Sequence, residues 1–177
     1  MPAVLAGAAH PQRPATREVA QPEREQPPKV VVVGNIERVN IPEALESLGG
    51  FAHRHELVGE GCWPAMIDLS LYYRKILRVR QGQYASVGTP PAVLRALRVG
   101  GRLACVSALA YYQLGRQPGA GAEGDPLHVL VRHGASRLGI HEPVVVHWTR
   151  REVEGTRLVV SERAARAQAA WCRATGG

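Results

Sequence analysis

Cysteine is scarce in this 177-residue sequence: Cys62, Cys105 and Cys172 are far apart and odd in number. They fit neither a disulfide framework nor the spacing of metal ligands, and we expect buried thiols in a reducing cytosol. Long apolar runs are also lacking, since none approaches the roughly 18 residues that a membrane helix requires. The first residues lack a basic segment followed by a long apolar one, so no signal peptide is expected. The predicted protein is cytoplasmic and does not associate with a membrane.

Acidic residues are outnumbered by basic ones. The sequence has 22 Lys and Arg against 15 Asp and Glu, a formal net charge of +7, and its isoelectric point is about 9.9. Residues 1–28 contain as many glutamates as arginines, so the excess lies in the rest of the chain. The densest basic stretch is LYYRKILRVR, which has no acid among its cations Arg74, Lys75, Arg78 and Arg80. Such a cluster favours a polyanionic partner such as nucleic acid.

The first half of the sequence predicts an arm followed by a winged helix-turn-helix. Residues 1–28 show no hydrophobic period and are expected to be a disordered arm. Residues 29–88 begin with the apolar strand KVVVVGN, which no glycine-rich phosphate loop follows. Three short helical patterns come next, starting near Ile41, Ala52 and Pro64. The period then changes to two around a Gln81-Gly82 turn, which predicts a hairpin. Three helices with a tight second turn, followed by a hairpin, are the order of a winged helix-turn-helix.

Pairing across this turn predicts which hairpin side chains face the core. Val79 is expected opposite Tyr84 on the core face. The other face is then expected to carry Arg78, Arg80, Gln83 and Ala85. One face of the hairpin is therefore predicted to be cationic.

Residues 89–177 predict a second, small α+β unit. PAVLRALRVGG and LACVSALAYYQLG have the pattern of two helices that end at glycine. Two apolar strands follow, LHVLVR and PVVVHW. The alanine-rich tail is expected to be a helix with Ser161 as its N-cap. The predicted fold class is α+β, with a winged helix-turn-helix in front of a small α+β domain.

One stretch, LHVLVRHGASRLG, contains the tripeptide Arg132-His133-Gly134 that is typical of histidine phosphatases. That chemistry needs His133 as nucleophile and Arg132 as phosphoryl ligand. The further groups it needs could be supplied by His147, Arg150 and Glu142. In that family, however, the tripeptide normally stands in the first strand of the catalytic domain, and few residues follow it here. A connection this short also leaves no helical crossover for parallel strands. The phosphatase is therefore the least favoured hypothesis.

A different resemblance covers most of the chain. Residues 41–88 contain LGGFAHRHELVGEG, then Ile67-Asp68 and Leu71, then ILRVRQGQYA. The second unit continues with GGRLACVSALAYYQLG, LHVLVRHGASRL and VVVHWTRREVEGTRLVVS. Together these segments resemble the AbiEi-type antitoxins of type IV toxin–antitoxin systems. The most specific element is ILRVRQGQYA, whose Arg78, Gly82 and Tyr84 match the arginine, glycine and tyrosine of that family's wing.

The resemblance implies a transcriptional regulator that binds duplex DNA and represses its own promoter, as a dimer or as paired monomers at repeated sites. DNA contacts are then expected from the third helix and the wing, through Ser70, Tyr72, Tyr73, Arg74, Lys75, Arg78, Arg80 and Gln83. Secondary contacts are expected from Arg95, Arg98 and Arg102. No catalytic residue, metal or cofactor is implied. The metal-site residues of the Vsr-like endonuclease domain of longer relatives are missing, so no nuclease activity is expected.

The third helix departs from the family, in which its exposed face is usually rich in arginine. Here the corresponding stretch, WPAMIDLSLYY, is mainly apolar and aromatic. Such a face also suits protein binding. The alternative hypothesis is therefore a non-catalytic interaction module that binds a toxin or a host factor in phage defence.

Overall fold

The computed structural model describes residues 39–113, 125–135, 137–140 and 142–175. Within these ranges the chain forms six helices and two three-stranded sheets, so the predicted α+β class is confirmed. The predicted arm, residues 1–28, and the predicted strand KVVVVGN lie outside the described residues. None of the helices in the described part has the length and hydropathy that crossing a membrane would require.

The first unit contains three helices and an antiparallel sheet. Its elements are α1 (Ile41–Ser47), β1 (Phe51–His53), α2 (Arg54–Gly59), α3 (Pro64–Tyr72), β2 (Ile76–Arg80) and β3 (Gln83–Ser86). The sheet order is β1-β3-β2, which leaves β2 at one edge. The three helices cover one face of this sheet around buried Leu45, Leu57 and Ile67. Pro64 suits the first turn of α3, where its missing N–H costs no hydrogen bond.

The second helix begins later than the sequence predicts. Ala52 and His53 belong to β1, where Ala52 pairs with Tyr84 and is fully buried. Strand pairing in the folded chain therefore overrides the helical pattern that starts at Ala52. The helix begins at Arg54, and the Glu56 carboxylate accepts the backbone N–H of His53 at 2.8 Å. This hydrogen bond, one half of a capping box, satisfies the His53 N–H, which has no partner within the helix.

The predicted face pattern of the hairpin is wrong in two respects. Arg78, not Val79, pairs with Tyr84, because a bulge interrupts the β2–β3 ladder between Arg78 and Arg80. Ala85 is fully buried instead of facing solvent. The cause is that the second unit covers the sheet face opposite the helices, so Val79 and Ala85 pack into its core. The two predicted units thus share one buried layer.

The second unit surrounds a mixed sheet. Its elements are α4 (Pro91–Val99), β4 (Arg102–Leu103), α5 (Cys105–Gln113), β5 (Leu127–Arg132), β6 (Val144–Thr149) and α6 (Glu162–Thr175). The sheet order is β4-β5-β6. As predicted, Ser161 caps the last helix, since its hydroxyl oxygen accepts the Ala164 N–H at 3.2 Å.

Strands β5 and β6 pair in parallel, from Leu127 opposite Val144 to Arg132 opposite Thr149. The prediction that a connection this short cannot join parallel strands is therefore wrong. Gly134 and Arg137 both have positive φ, at 87° and 59°, within that connection. Left-handed residues turn the chain sharply. The eleven residues 133–143 are then enough to return along a six-residue strand of about 20 Å without a helical crossover.

Glycine at position 101 allows the closest approach between elements in this unit. A Cβ on Gly101 would lie 2.6 Å from Val129 Cγ1 and against the Leu130 carbonyl oxygen of β5. We expect Gly101→Ala to lower the free energy of unfolding by about 3 kcal/mol, because strand backbone cannot move aside cheaply. Urea denaturation measures this, with Gly59→Ala in α2 as the control. A Cβ on Gly59 meets nothing within 4 Å, so that variant should be unchanged or slightly stabilised.

Candidate nucleic-acid interface

Helices α2 and α3 are held together by one arginine. The Arg54 guanidinium at the start of α2 donates to both carboxylate oxygens of Asp68 in α3, each at 3.2 Å. It also donates to the Tyr84 hydroxyl at 3.1 Å, and that tyrosine is almost fully buried in the sheet. Bidentate pairing of this kind specifies geometry as well as energy. Arg54 therefore links α2, α3 and the hairpin, a role that local sequence patterns did not predict.

The outward face of α3 is aromatic and apolar. Tyr72 and Tyr73 are exposed at its carboxyl end, and their rings meet edge to face with centroids 5.2 Å apart. Trp63 and Met66 are exposed at its amino end. Ser70 is only 7% exposed and lies on the buried side of the helix. The two tyrosines are therefore accessible for contact. Ser70, which was predicted to contact DNA, is too buried to do so.

Three cations follow α3 along the outer edge of the sheet. Arg74, Lys75 and Arg78 are exposed, and within the described residues none of them forms an ion pair. Arg74 has a φ of 54°, which turns the chain out of α3 into β2. Because β2 is the last strand of its sheet, Arg78 stands at an open edge. We call these three residues the cationic edge.

Arg80 and Gln83 lie at the tip of the hairpin, on either side of the Gln81-Gly82 turn. Gly82 has a φ of 71°, as the tight turn requires. Arg80 is partly buried because its guanidinium packs against Gly100 and donates to the Arg137 carbonyl oxygen. The same arginine therefore joins the hairpin to the second unit. Arg80 thus differs from the cationic edge, whose charges face solvent.

A cleft of about 340 Å³ opens beside Gln83, between the two sheets. Four arginines contribute to its lining, Arg102, Arg132, Arg151 and Arg157. Arg157 is held by Glu56 at 2.7 Å. Arg132 and Arg151 are exposed at the cleft and pair with no acid in the described part of the chain. Positive charge thus continues from the hairpin into the second unit.

The three arginines predicted as secondary DNA contacts have different surroundings. Arg95 forms a bidentate pair with Glu142, and this bond raises the pKa of the Arg95 guanidinium. Arg102 donates to the backbone carbonyls of Thr156, at 2.7 Å, and Val153. Burial lowers the pKa of Arg102. Arg98 is exposed near the carboxyl end of α4, where a cation is favourable. Of these three arginines, Arg98 alone is exposed and has no hydrogen-bond acceptor for its guanidinium among the described residues.

We expect Arg102→Ala to act on stability and not on DNA affinity. Its loss would leave the Val153 and Thr156 carbonyls without the donor they now share, at a cost of about 2 kcal/mol. Arg98→Ala removes the same charge from a neighbouring exposed position and should cost under about 0.5 kcal/mol. Urea denaturation of both variants gives the comparison. Equal stability of the two would show that the Arg102 contacts contribute nothing.

The groups that a histidine phosphatase would need are not brought together. The exposed His133 ring does lie 3.4 Å from an Arg150 guanidinium nitrogen. However, the His147 ring nitrogen Nε2 lies 3.1 Å from Nδ1 of His128, and Glu142 is held by Arg95. His147 and Glu142 therefore form contacts away from His133. The contacts of the described residues therefore do not support a phosphatase centred on His133.

The site therefore consists of an aromatic helix face, a cationic edge and an arginine-lined cleft, all on or beside the first unit. Its exposed cations are suited to binding anionic groups, and its exposed aromatic rings to stacking on planar ones. Comparison with known proteins adds nothing to this: no family model matches the sequence, and no curated protein matches it.

Proposed function

We propose that this protein is a winged-helix DNA-binding regulator. One observation carries the proposal: the order helix, strand, helix, helix, hairpin is combined with a sheet order β1-β3-β2 and with an unpaired cationic edge directly after the third helix. That order is the one in which winged helix-turn-helix domains present a helix and a hairpin to DNA. The AbiEi-type resemblance points in the same direction.

In the proposed complex, α3 faces a groove of the duplex and the cationic edge contacts phosphates. Arg74, Lys75 and Arg78 would displace condensed counterions, so the affinity would fall steeply as salt increases. The tyrosine hydroxyls at the end of α3 would reach phosphates or base edges. The outward face of α3 has no arginine or asparagine for bidentate base contacts. Most of the affinity is therefore assigned to the phosphate backbone.

The biological role that fits this binding mode is a cytoplasmic, antitoxin-like repressor of its own promoter. Such proteins bind repeated half-sites as a dimer or as paired monomers, which compensates for weak base readout by a single domain. No catalysis and no cofactor are part of this proposal.

The proposal is tested by fluorescence anisotropy with the full chain. One labelled duplex carries the DNA upstream of its own coding region, and a second has the same composition in scrambled order. We expect both to bind at low salt and the upstream duplex to bind at least roughly tenfold tighter, since sequence preference adds to the electrostatic affinity. Absence of binding to either duplex at low salt would contradict the proposal.

A second function is favoured by the exposed apolar side chains of α3. Trp63 is 58% exposed, and Met66, Tyr72 and Tyr73 extend the same exposed surface. Aromatic residues and methionine are enriched in protein interfaces, and tryptophan and tyrosine often dominate their energy. Binding of a toxin through this face would be lost on Trp63→Ser, while DNA binding through the cationic edge would persist. Co-expression of the wild type and of Trp63→Ser with the product of the neighbouring gene tests this. Co-purification that is lost only in the variant would assign protein binding to the α3 face.

A further inference from the structure

Four side chains with soft and borderline metal-ligating atoms converge in the second unit. Cys105, His128, His147 and Cys172 each bring one ligating atom to a point where all four atoms lie within 4.8 Å of one another. They come from four different elements: the start of α5, strands β5 and β6, and α6. No two of them are close in sequence, since His128 is 19 residues from His147 and 44 from Cys172.

Two separations within the cluster are close to those of a tetrahedral metal site. With Zn–N near 2.05 Å and Zn–S near 2.3 Å, tetrahedral ligands should be about 3.3 Å apart for two nitrogens and about 3.5 Å apart for sulfur and nitrogen. Nδ1 of His128 lies 3.1 Å from Nε2 of His147. Sγ of Cys172 lies 3.9 Å from Nδ1 of His128. The remaining pairs lie within 4.8 Å, so small side-chain rotations would bring all four atoms around one ion.

The cluster is largely buried. Cys105, His128 and Cys172 are buried, and His147 is half-buried. Burial raises the pKa of the Cys105 thiol to about 11 and lowers the pKa of both histidines; for His128 the neighbouring His147 ring lowers it further. Burial therefore favours the neutral form of both imidazoles. Neutral imidazole is the form that binds a metal.

The surrounding structure holds two of these residues in place through their backbone. The Cys105 N–H donates to the Gln168 side-chain oxygen at 3.0 Å, and the His128 N–H donates to the Ser107 hydroxyl at 3.0 Å. Cys105 has a φ of 51°, a left-handed conformation that costs about 1 kcal/mol or more outside glycine. It is also the first residue of α5, and a hydrogen bond from the Val106 backbone N–H partly offsets the effect of burial on the pKa of its thiol.

We propose that Cys105, His128, His147 and Cys172 bind one structural Zn²⁺ ion. Two thiolates and two imidazoles are a ligand set that selects zinc among the available divalent ions. The four protein ligands fill a tetrahedral shell and leave no open position for a substrate, so the site is structural and not catalytic. Binding displaces one proton from each thiol and forms two Zn–S and two Zn–N bonds.

The ion would add a direct link between elements that are already connected by packing, by the β5–β6 ladder and by the Cys105–Gln168 and His128–Ser107 hydrogen bonds. It would link α5 and α6 on one side of the sheet to β5 and β6, and so close the second unit around its core. This role is independent of DNA binding, because none of the four residues belongs to the cationic edge or to α3. Failure of one proposal would leave the other standing.

Two other chemistries could account for the same geometry. The two histidines could simply share a hydrogen bond, one ring donating to the other. Cys105 and Cys172 could form a disulfide under oxidising conditions, because their sulfurs lie within 4.8 Å. Neither alternative would retain a metal, so metal content decides between them and the proposal.

The test measures metal in the full chain after purification without an affinity tag or chelator. Plasma mass spectrometry should find about one equivalent of zinc, and native mass spectrometry should place it on the monomer mass. Cys172→Ser and His147→Asn should each retain less than roughly a tenth of an equivalent. The matched controls are Cys62→Ser, which removes a buried thiol from the other core, and His133→Asn, which removes an exposed histidine. Both should keep one equivalent.

A cobalt titration covers the case in which a ligand variant fails to fold. Wild-type protein freed of metal should bind one equivalent of Co²⁺ and show the absorption of tetrahedral cobalt bound to thiolate. The proposal would be overturned if the wild-type protein contained no zinc or other transition metal and also failed to bind cobalt. A protein mass two units below that of the fully reduced chain, together with a proteolytic fragment in which Cys105 and Cys172 are linked, would show the disulfide in place of the metal site.

Discussion

Replacing Arg74, Lys75 and Arg78 together by alanine is expected to lower the affinity for a DNA duplex roughly a hundredfold near physiological salt. Each cation that contacts a phosphate contributes about 0.9 to the slope of log affinity against log salt. Three such contacts at about 0.15 M salt correspond to about two orders of magnitude in affinity. Fold and stability should be little changed, because the three side chains are exposed and pair with no acid in the described part of the chain.

The control variant replaces Arg163, Arg166 and Arg173 of α6 by alanine. It removes the same charge from three exposed positions of α6. The two surface ion pairs that it breaks, with Glu154 and Glu162, contribute little to stability. We expect its affinity for DNA to fall less than about threefold. Anisotropy titrations of both variants against one duplex give the comparison. Similar losses in the two variants would show that net charge matters and that the cationic edge has no special role.

Removal of zinc is expected to lower the melting temperature of the protein by about 8 to 16 °C. An ion held at a concentration of about a thousand times its dissociation constant stabilises the folded state by about 4 kcal/mol. In a chain of this size each kcal/mol corresponds to about 2 to 4 °C. Thermal unfolding followed by circular dichroism, with and without a zinc chelator, measures the effect. Re-addition of zinc should restore the original transition.

The sensitivity of each variant to the chelator separates metal loss from ordinary core damage. Cys62→Ser introduces a buried hydroxyl into the other core and should melt earlier, yet the chelator should lower its transition by as much as in the wild type. Cys172→Ser should melt at the same temperature with and without chelator. A wild-type transition that the chelator does not move would contradict a stabilising metal.

Local patterns predicted most of the secondary structure. The helix at Ile41, the hairpin around Gln81-Gly82 and the terminal helix capped by Ser161 all rest on signals within a few residues, and the structure confirms them. The errors occur where distant parts of the chain meet. Ala52 joins a strand because Tyr84 lies opposite it, and Ala85 is buried because the second unit packs onto the hairpin. No local pattern contains that information.

The candidate sites show the same limit more sharply. The cationic edge could be read from LYYRKILRVR, because exposure of a charged residue is a safe expectation. The intramolecular hydrogen bonds of Arg80, Arg95 and Arg102 could not be predicted from the sequence, since their acceptors lie dozens of residues away. The Cys105 cluster was missed for a related reason. Metal sites are recognised in sequence by short ligand spacings, and here the sheet and two helices supply the proximity instead.

The most direct test of DNA binding by the winged helix is the salt dependence of wild-type affinity for one duplex. Anisotropy titrations at several salt concentrations give the slope of log affinity against log salt. With three phosphate contacts from the cationic edge, we predict a linear dependence with a slope of about −3 or steeper. The slope of the triple alanine variant should be smaller by two to three. A wild-type slope near zero, or the same slope in both proteins, would contradict the account.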